Sequence, residues 1–197
     1  MERGVKELRD DFARHAVPVR ILEGGEVSLD LLWEVSHDEL VRFSLAQTGR
    51  YLLVEFPYRG WPLALDSAVP ALVNAGLTPL LGHPERNPDV QDHPERLGSL
   101  VEAGALVQVT AGSLAGRLDR SSQATAQKLI RLGLVHVLAS DSHGPHIREG
   151  GMAAAAEAVG DSELARYLTQ EAPAAIIAGN SLPAPPPFRD GAGSAEV

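Results

Sequence analysis

The chain predicts an α/β protein built on a parallel sheet, and three observations carry that expectation. Short apolar runs such as Tyr51-Leu-Leu-Val-Glu55 and Thr78-Pro-Leu-Leu-Gly-His83 are what strands buried on both faces look like. Helical stretches separate those runs, which is the rhythm of βαβ units. The runs also end in ionisable side chains: Glu55, His83, and Asp141 with His143 in Leu134-Val-His-Val-Leu-Ala-Ser-Asp-Ser-His143. In α/β barrels the chemically active groups sit where strands end.

The elements follow in order. Val5 to Ala16 reads as an amphipathic helix, with Val5, Leu8 and Phe12 at helical spacing and Pro18 marking its end. Val19 to Leu22 is expected as a short strand entering Glu23-Gly-Gly-Glu26, and Leu29 to Ser44 as a polar, partly helical excursion. Tyr51 to Glu55 is a strand. Leu63 to Ala75 is a helix capped by Gly76, kinked or shortened by Pro70. Leu77 to Leu81 is the third strand. Asp92 is expected to cap the next helix, with Pro94 early in it and Gly104 at its end. Ala105 to Thr110 and Leu134 to Ser140 are strands flanking a helix from Ser121 to Leu132, and Met152 to Val159, Glu163 to Thr169 and Pro173 to Ala178 are helical. Residues 1–180 would form one domain, and Pro, Ala and Gly mark Ser181 to Val197 as a disordered tail. About five strands result, too few to close a barrel, so an open edge is expected.

Composition narrows the function classes. A chain of 197 residues with 44% hydrophobic content can bury a sizeable core. Acidic residues outnumber basic ones 26 to 17, a net charge of -9 that argues against a nucleic-acid surface and tolerates bound cations. Cysteine is absent, which removes disulfides, thiolate zinc sites and a cysteine nucleophile together. No apolar stretch reaches membrane-spanning length and the first residues lack a signal-peptide core, so a cytoplasmic protein is expected. No Gly-x-Ser-x-Gly elbow, Gly-x-Gly-x-x-Gly or Walker loop occurs, which disfavours serine hydrolase and nucleotide-cofactor chemistry.

The strand-end groups remain. A carboxylate, an imidazole and an Asp-x-His pair suit divalent cations and point to a metal-dependent hydrolase. The plainer account of Glu55 is a capping or salt-bridged carboxylate, but a charge following Leu52-Leu-Val54 needs a partner or a metal. His-Pro-Glu-Arg occurs twice, at His83 to Arg86 and His93 to Arg96. The first copy follows a strand, making His83 a ligand candidate and placing Arg86 for an anion such as phosphate; the second sits among polar residues and reads as helix capping. Strand alternation would aim Asp141 and His143 to one side and Ser142 away, although Asp141 as a turn cap is the competing account. Arg148 is either a second cation at this edge or a solvated charge, and His146 is expected to face solvent. Glu26 gains weight only as a fourth strand-end group. Thr110-Ala-Gly-Ser113 offers backbone amides to an anion or is an ordinary turn. His136 reads as a hydrogen-bonded core histidine; His15 and His37 lie in polar segments.

In order along the chain, Leu22-Glu-Gly-Gly-Glu26, Gly49-Arg-Tyr-Leu-Leu-Val-Glu-Phe-Pro57, Gly82-His-Pro-Glu-Arg-Asn87, Gln108-Val-Thr-Ala-Gly-Ser-Leu-Ala-Gly116 and Ala139-Ser-Asp-Ser-His143 with Arg148 resemble the polymerase-and-histidinol-phosphatase (PHP) superfamily. Within it, the likeness is to the bacterial capsule-type protein-tyrosine phosphatases, and it runs from about Val5 to Gly179. The resemblance implies a PHP-type (β/α)7 barrel, of which this chain holds about five of seven units. It implies a manganese-preferring cluster of up to three cations, with Glu26, Glu55, His83, Asp141 and His143 as ligands and Arg86 and Arg148 gripping the phosphoryl group. A metal-bound hydroxide would attack phosphorus, with no covalent phosphoenzyme. The implied substrate is phosphotyrosine on a bacterial tyrosine kinase that controls exopolysaccharide synthesis. The family's first strand, with His-x-His, and its second, with a further histidine motif, have no counterpart here, so three histidine ligands would be absent and a truncated or decayed paralogue acting as a binding module is the alternative. A histidinol-phosphate-type phosphatase is the other. No nucleic-acid or membrane partner is implied, and an oligomer is compatible with the open edge.

Overall fold

The structure is a computed structural model, and it describes residues 2–144 and 151–189. Five strands form one sheet: β1 (Glu26–Val27), β2 (Tyr51–Glu55), β3 (Thr78–Gly82), β4 (Leu106–Thr110) and β5 (Val137–Ala139). They lie in chain order and every neighbouring pair is parallel. A doubly wound sheet reverses its order at a switch point, whereas an unreversed order is the winding of α/β barrels. Leu52, Val54, Leu81, Val107 and Val109 are completely buried, which explains why the strands read as continuous apolar runs.

Ten α-helices are present among the described residues: α1 (Glu2–Arg14), α2 (His37–Phe43), α3 (Leu65–Asn74), α4 (Pro88–Asp92), α5 (Leu97–Glu102), α6 (Ala111–Leu114), α7 (Arg120–Arg131), α8 (Met152–Ala158), α9 (Ser162–Arg166) and α10 (Ala172–Ile177). Pro70 lies inside α3, which continues past it and begins two residues later than expected. The strand expected at Val19 to Leu22 does not form. The Arg9 guanidinium donates to the Ile21 carbonyl and pairs with Glu23, while the Gly25 N–H donates to the Phe43 carbonyl. These bonds hold the segment against α1 and the end of α2, and pairing with the sheet starts only at Glu26.

Asp92 is the last residue of α4, and does not cap the following helix. The cap lies five residues earlier, where the Asn87 side-chain oxygen accepts from the N–H groups of Asp89 and Val90 at 2.8 and 3.2 Å, and Pro88 takes the first helical position. Residues 181–189 take no helix or strand, yet Leu182 and Phe188 pack against the core and the Arg189 N–H donates to Asp161. No helix among the described residues is long and apolar enough to cross a membrane.

His136 lies just before β5. Its N–H donates to the Val107 carbonyl at 2.9 Å, and its Nδ1 accepts the Val107 N–H at 3.1 Å. Nδ1 can accept only when unprotonated, and burial pushes the imidazole pKa down. A depressed folded-state pKa makes this contribution complete above the unfolded value of 6.5 and erodes it as pH falls below that value. Stability should therefore decline on acidification, by at most about 1.4 kcal/mol per pH unit for this one group. In His136→Asn the side-chain oxygen still accepts from Val107, so urea midpoints measured against pH should lose that component of the slope. An unchanged slope would exclude His136 as its source.

Candidate active site at the sheet edge

Glu55, His83 and Asp141 lie at or just beyond the C-terminal ends of β2, β3 and β5, whereas Glu26 opens β1 and does not end a strand. Glu55 ends β2 and pairs in register with Gly82, the residue before His83. His83 follows β3 in the left-handed conformation, with φ 44° and ψ 42°, and is buried. Its N–H donates to the Gln108 carbonyl at 3.0 Å, which fixes the backbone against β4. Glu26 leans over β3 from the far side of β2, placing Oε1 3.3 Å from His83 Nε2. A Cβ at position 82 would lie 3.0 Å from that same carboxylate oxygen, so a larger residue there would push the Glu26 carboxylate aside by a few tenths of an ångström.

A second group continues the line. Arg86 Nη1 lies 3.4 Å from Asp141 Oδ2, with both side chains largely shielded from solvent. Asp141 is also left-handed, at φ 50°. Left-handed backbone is strained for residues other than glycine, at roughly 1–3 kcal/mol each, and it concentrates at functional sites. Asp141 and His143 lie beyond β5, which ends at Ala139, so strand alternation does not orient them. A turn does so instead: His143 Nδ1 sits 2.8 Å from the Asp141 carbonyl and 3.7 Å from its Oδ1. Arg148 and His146 lie outside the described residues.

Tyr58 joins the two groups. Its ring stacks on the His83 imidazole, with centroids 5.4 Å apart and planes at 14°, and the Arg86 guanidinium lies 4.8 Å from its centroid. The resulting series, Glu26, His83, Tyr58, Arg86, Asp141 and His143, brings together residues from four stretches of chain.

Three contributors escape strand-end reasoning. Glu85 is fully buried, and its Oε1 accepts from the Ser113 hydroxyl at 2.6 Å and the Thr110 N–H at 3.2 Å. Burial pushes its carboxyl pKa up, and the hydrogen bonds from Ser113 and Thr110 offset this only in part. The Thr110 amide thus serves Glu85, and residues 111–114 fold as the buried helix α6, so Thr110-Ala-Gly-Ser113 does not offer that amide to an anion. Asn87 is buried and donates from Nδ2 to the carbonyls of Pro57 and Gly60 at 2.7 and 3.0 Å. Its Asn-Pro dipeptide signals a helix start, whereas the loop it clamps is invisible in the sequence. The third contributor is Tyr58, whose contacts depend on that clamp. The second His-Pro-Glu-Arg copy stays on the surface, where exposed His93 sits 3.5 Å from Glu95.

The donor types suit a divalent cation: carboxylates and imidazoles on one edge, with His83 Nδ1 buried and lacking a hydrogen-bond partner. The described residues bring these donors together as two pairs, Glu26 with His83 and Asp141 with His143, and no three of them form a cation-holding group.

The family model for capsular polysaccharide synthesis, CpsB/CapC, matches residues 1–178. The chain belongs to the CpsB/CapC family. Tyrosine-protein phosphatase YwqE of Bacillus subtilis is 34% identical over 144 residues, 72% of this chain and 56% of that protein. Tyrosine-protein phosphatase CpsB of Streptococcus pneumoniae is 25% identical over 145 residues, again 56% of its length. The chain thus spans little more than half of these curated relatives. The crystal structures of YwqE and CpsB, described as unique metal-dependent tyrosine phosphatases, include a match with TM-score 0.83 and 28% identity, covering 95% of this chain and 76% of that one. The five-stranded parallel sheet is therefore the CpsB/CapC-type α/β fold.

Proposed function

We propose that this CpsB/CapC chain is a divalent-cation-dependent protein-tyrosine phosphatase acting on a phosphorylated bacterial tyrosine kinase in capsular polysaccharide control. The observation that carries this reading is that the Glu26–His83 and Arg86–Asp141 pairs are linked through the Tyr58 ring in a fold shared with metal-dependent tyrosine phosphatases. Glu26, Glu55, His83, Asp141 and His143 would hold the cation, manganese by preference. A bound cation there would activate water and offset charge on the phosphoryl group. Arg86, with Arg148, would bind the phosphoryl oxygens, for which a guanidinium fork is suited. Asp141 holds Arg86 in place before substrate arrives, and Tyr58 supports the guanidinium from the ring side. His83 is buried, with its Nε2 3.3 Å from the Glu26 carboxylate.

The test is hydrolysis of a phosphotyrosine peptide by the purified chain, with manganese and after chelation, beside histidinol phosphate as a competing small substrate. Manganese-dependent turnover of the peptide in preference to histidinol phosphate is expected. Preference for histidinol phosphate would assign a small-molecule phosphatase. A folded chain with no turnover of either would favour a non-catalytic binding module.

A further inference from the structure

Tyr58 stands out because its loop is tied down by hydrogen bonds and ring contacts while the residue itself is partly exposed. It is 46% exposed, although its ring is packed on both His83 and Arg86. Its loop is pinned on both flanks by Asn87, whose amide donates to the carbonyls of Pro57 and Gly60. Phe56 is buried and meets Trp61 edge-on at 6.0 Å, and the Arg96 guanidinium covers Trp61 at 3.9 Å from its centroid. Gly60, at φ 74°, makes the turn that returns the loop to Trp61. A half-exposed aromatic ring held this firmly loses little conformational entropy when a ligand packs against it.

We propose that Tyr58 is a specificity-determining residue of this site, its exposed ring forming the wall that receives the aryl group of an aromatic phosphate ester while Arg86, packed on the same ring, receives the phosphoryl group. This rests on the phosphatase reading above. The geometry supplies two adjacent recognition elements, a cation for the phosphoryl oxygens and a ring for the phenyl group. An alkyl phosphate would engage only the first. Tyr58 therefore discriminates phosphotyrosine from phosphoserine or phosphothreonine without any change at the strand-end carboxylates and histidines.

Phenylphosphonate and methylphosphonate resist hydrolysis and separate the two elements. Their dissociation constants are to be measured calorimetrically on the full chain with manganese present, for the unaltered protein, Tyr58→Phe and Tyr58→Leu. The unaltered chain should prefer phenylphosphonate by about tenfold, the scale of one aromatic contact. Tyr58→Phe should keep that preference. Tyr58→Leu, which still covers His83 with an apolar side chain, should reduce it to within about twofold, with phenylphosphonate losing more affinity than methylphosphonate. No phenyl preference in the unaltered chain, or a preference that survives in Tyr58→Leu, overturns the proposal and leaves the phosphatase reading standing. Equal loss of both ligands in Tyr58→Leu overturns it too, since Tyr58 would then only hold Arg86 and His83. If the folded, unaltered chain binds neither phosphonate, the phosphatase reading itself fails.

Discussion

Glu85→Ala should lower the unfolding free energy by about 3 kcal/mol, seen as a fall in the urea midpoint at constant m-value. The carboxyl is fully buried and takes the Ser113 hydroxyl and the Thr110 N–H on a single oxygen. Truncation strands both donors away from water, at roughly 1–3 kcal/mol for each unsatisfied group, and it also leaves a small cavity. The bonds connect the turn after β3 to the start of α6, so the loss falls on the element that carries His83 and Arg86. Glu85→Gln keeps an acceptor oxygen of the same reach and is neutral, as burial favours for the acid itself. It should cost less than about 1 kcal/mol. If the two variants proved equally stable, the Ser113 and Thr110 bonds would not hold this edge together.

That carboxyl also shows where sequence reading stops. His-Pro-Glu-Arg occurs at 83–86 and at 93–96, and the two glutamates have opposite fates: Glu85 is fully buried and Glu95 is exposed. The difference comes from the strand before the first copy and the α6 turn above it, so no window of the tetrapeptide's size contains it. The same limit applies to Tyr58 and Asn87, whose contacts cross 25 or more positions of chain. Strands β2, β3 and β4 were legible because burial on both faces leaves an unbroken apolar run. β1 was misplaced because it has two residues, and what holds Ile21 and Glu23 is a side chain from α1. His83 follows β3 as expected, whereas Glu26, expected to close a strand, opens β1 and reaches His83 only through its side chain. The left-handed backbone of His83 and Asp141 was not legible, since the enrichment of His and Asp at positive φ does not single out these two positions.

Replacing His83 or Asp141 should remove phosphotyrosine turnover, to below about a hundredth of the starting rate, with a fall in bound manganese by elemental analysis. The choice of variant follows from the backbone. His83 is left-handed and buried, so alanine there adds strain to the loss of the imidazole. Asparagine tolerates that conformation and still removes the ring nitrogens, which makes His83→Asn the cleaner variant and His83→Ala the harsher one. Asp141→Asn keeps the size of the side chain and removes its charge, weakening both cation binding and the hold on Arg86. The duplicated tetrapeptide provides an internal control, since His93→Ala changes an exposed histidine followed by the same Pro-Glu-Arg. That variant should keep full turnover and full metal content. Arg86→Ala should weaken phosphate-ester binding while retaining metal, because its partners are Asp141 and the Tyr58 ring. Metal loss in Arg86→Ala would make the arginine a scaffold for Asp141, and near-native turnover in His83→Asn or Asp141→Asn would remove both residues from the cation site.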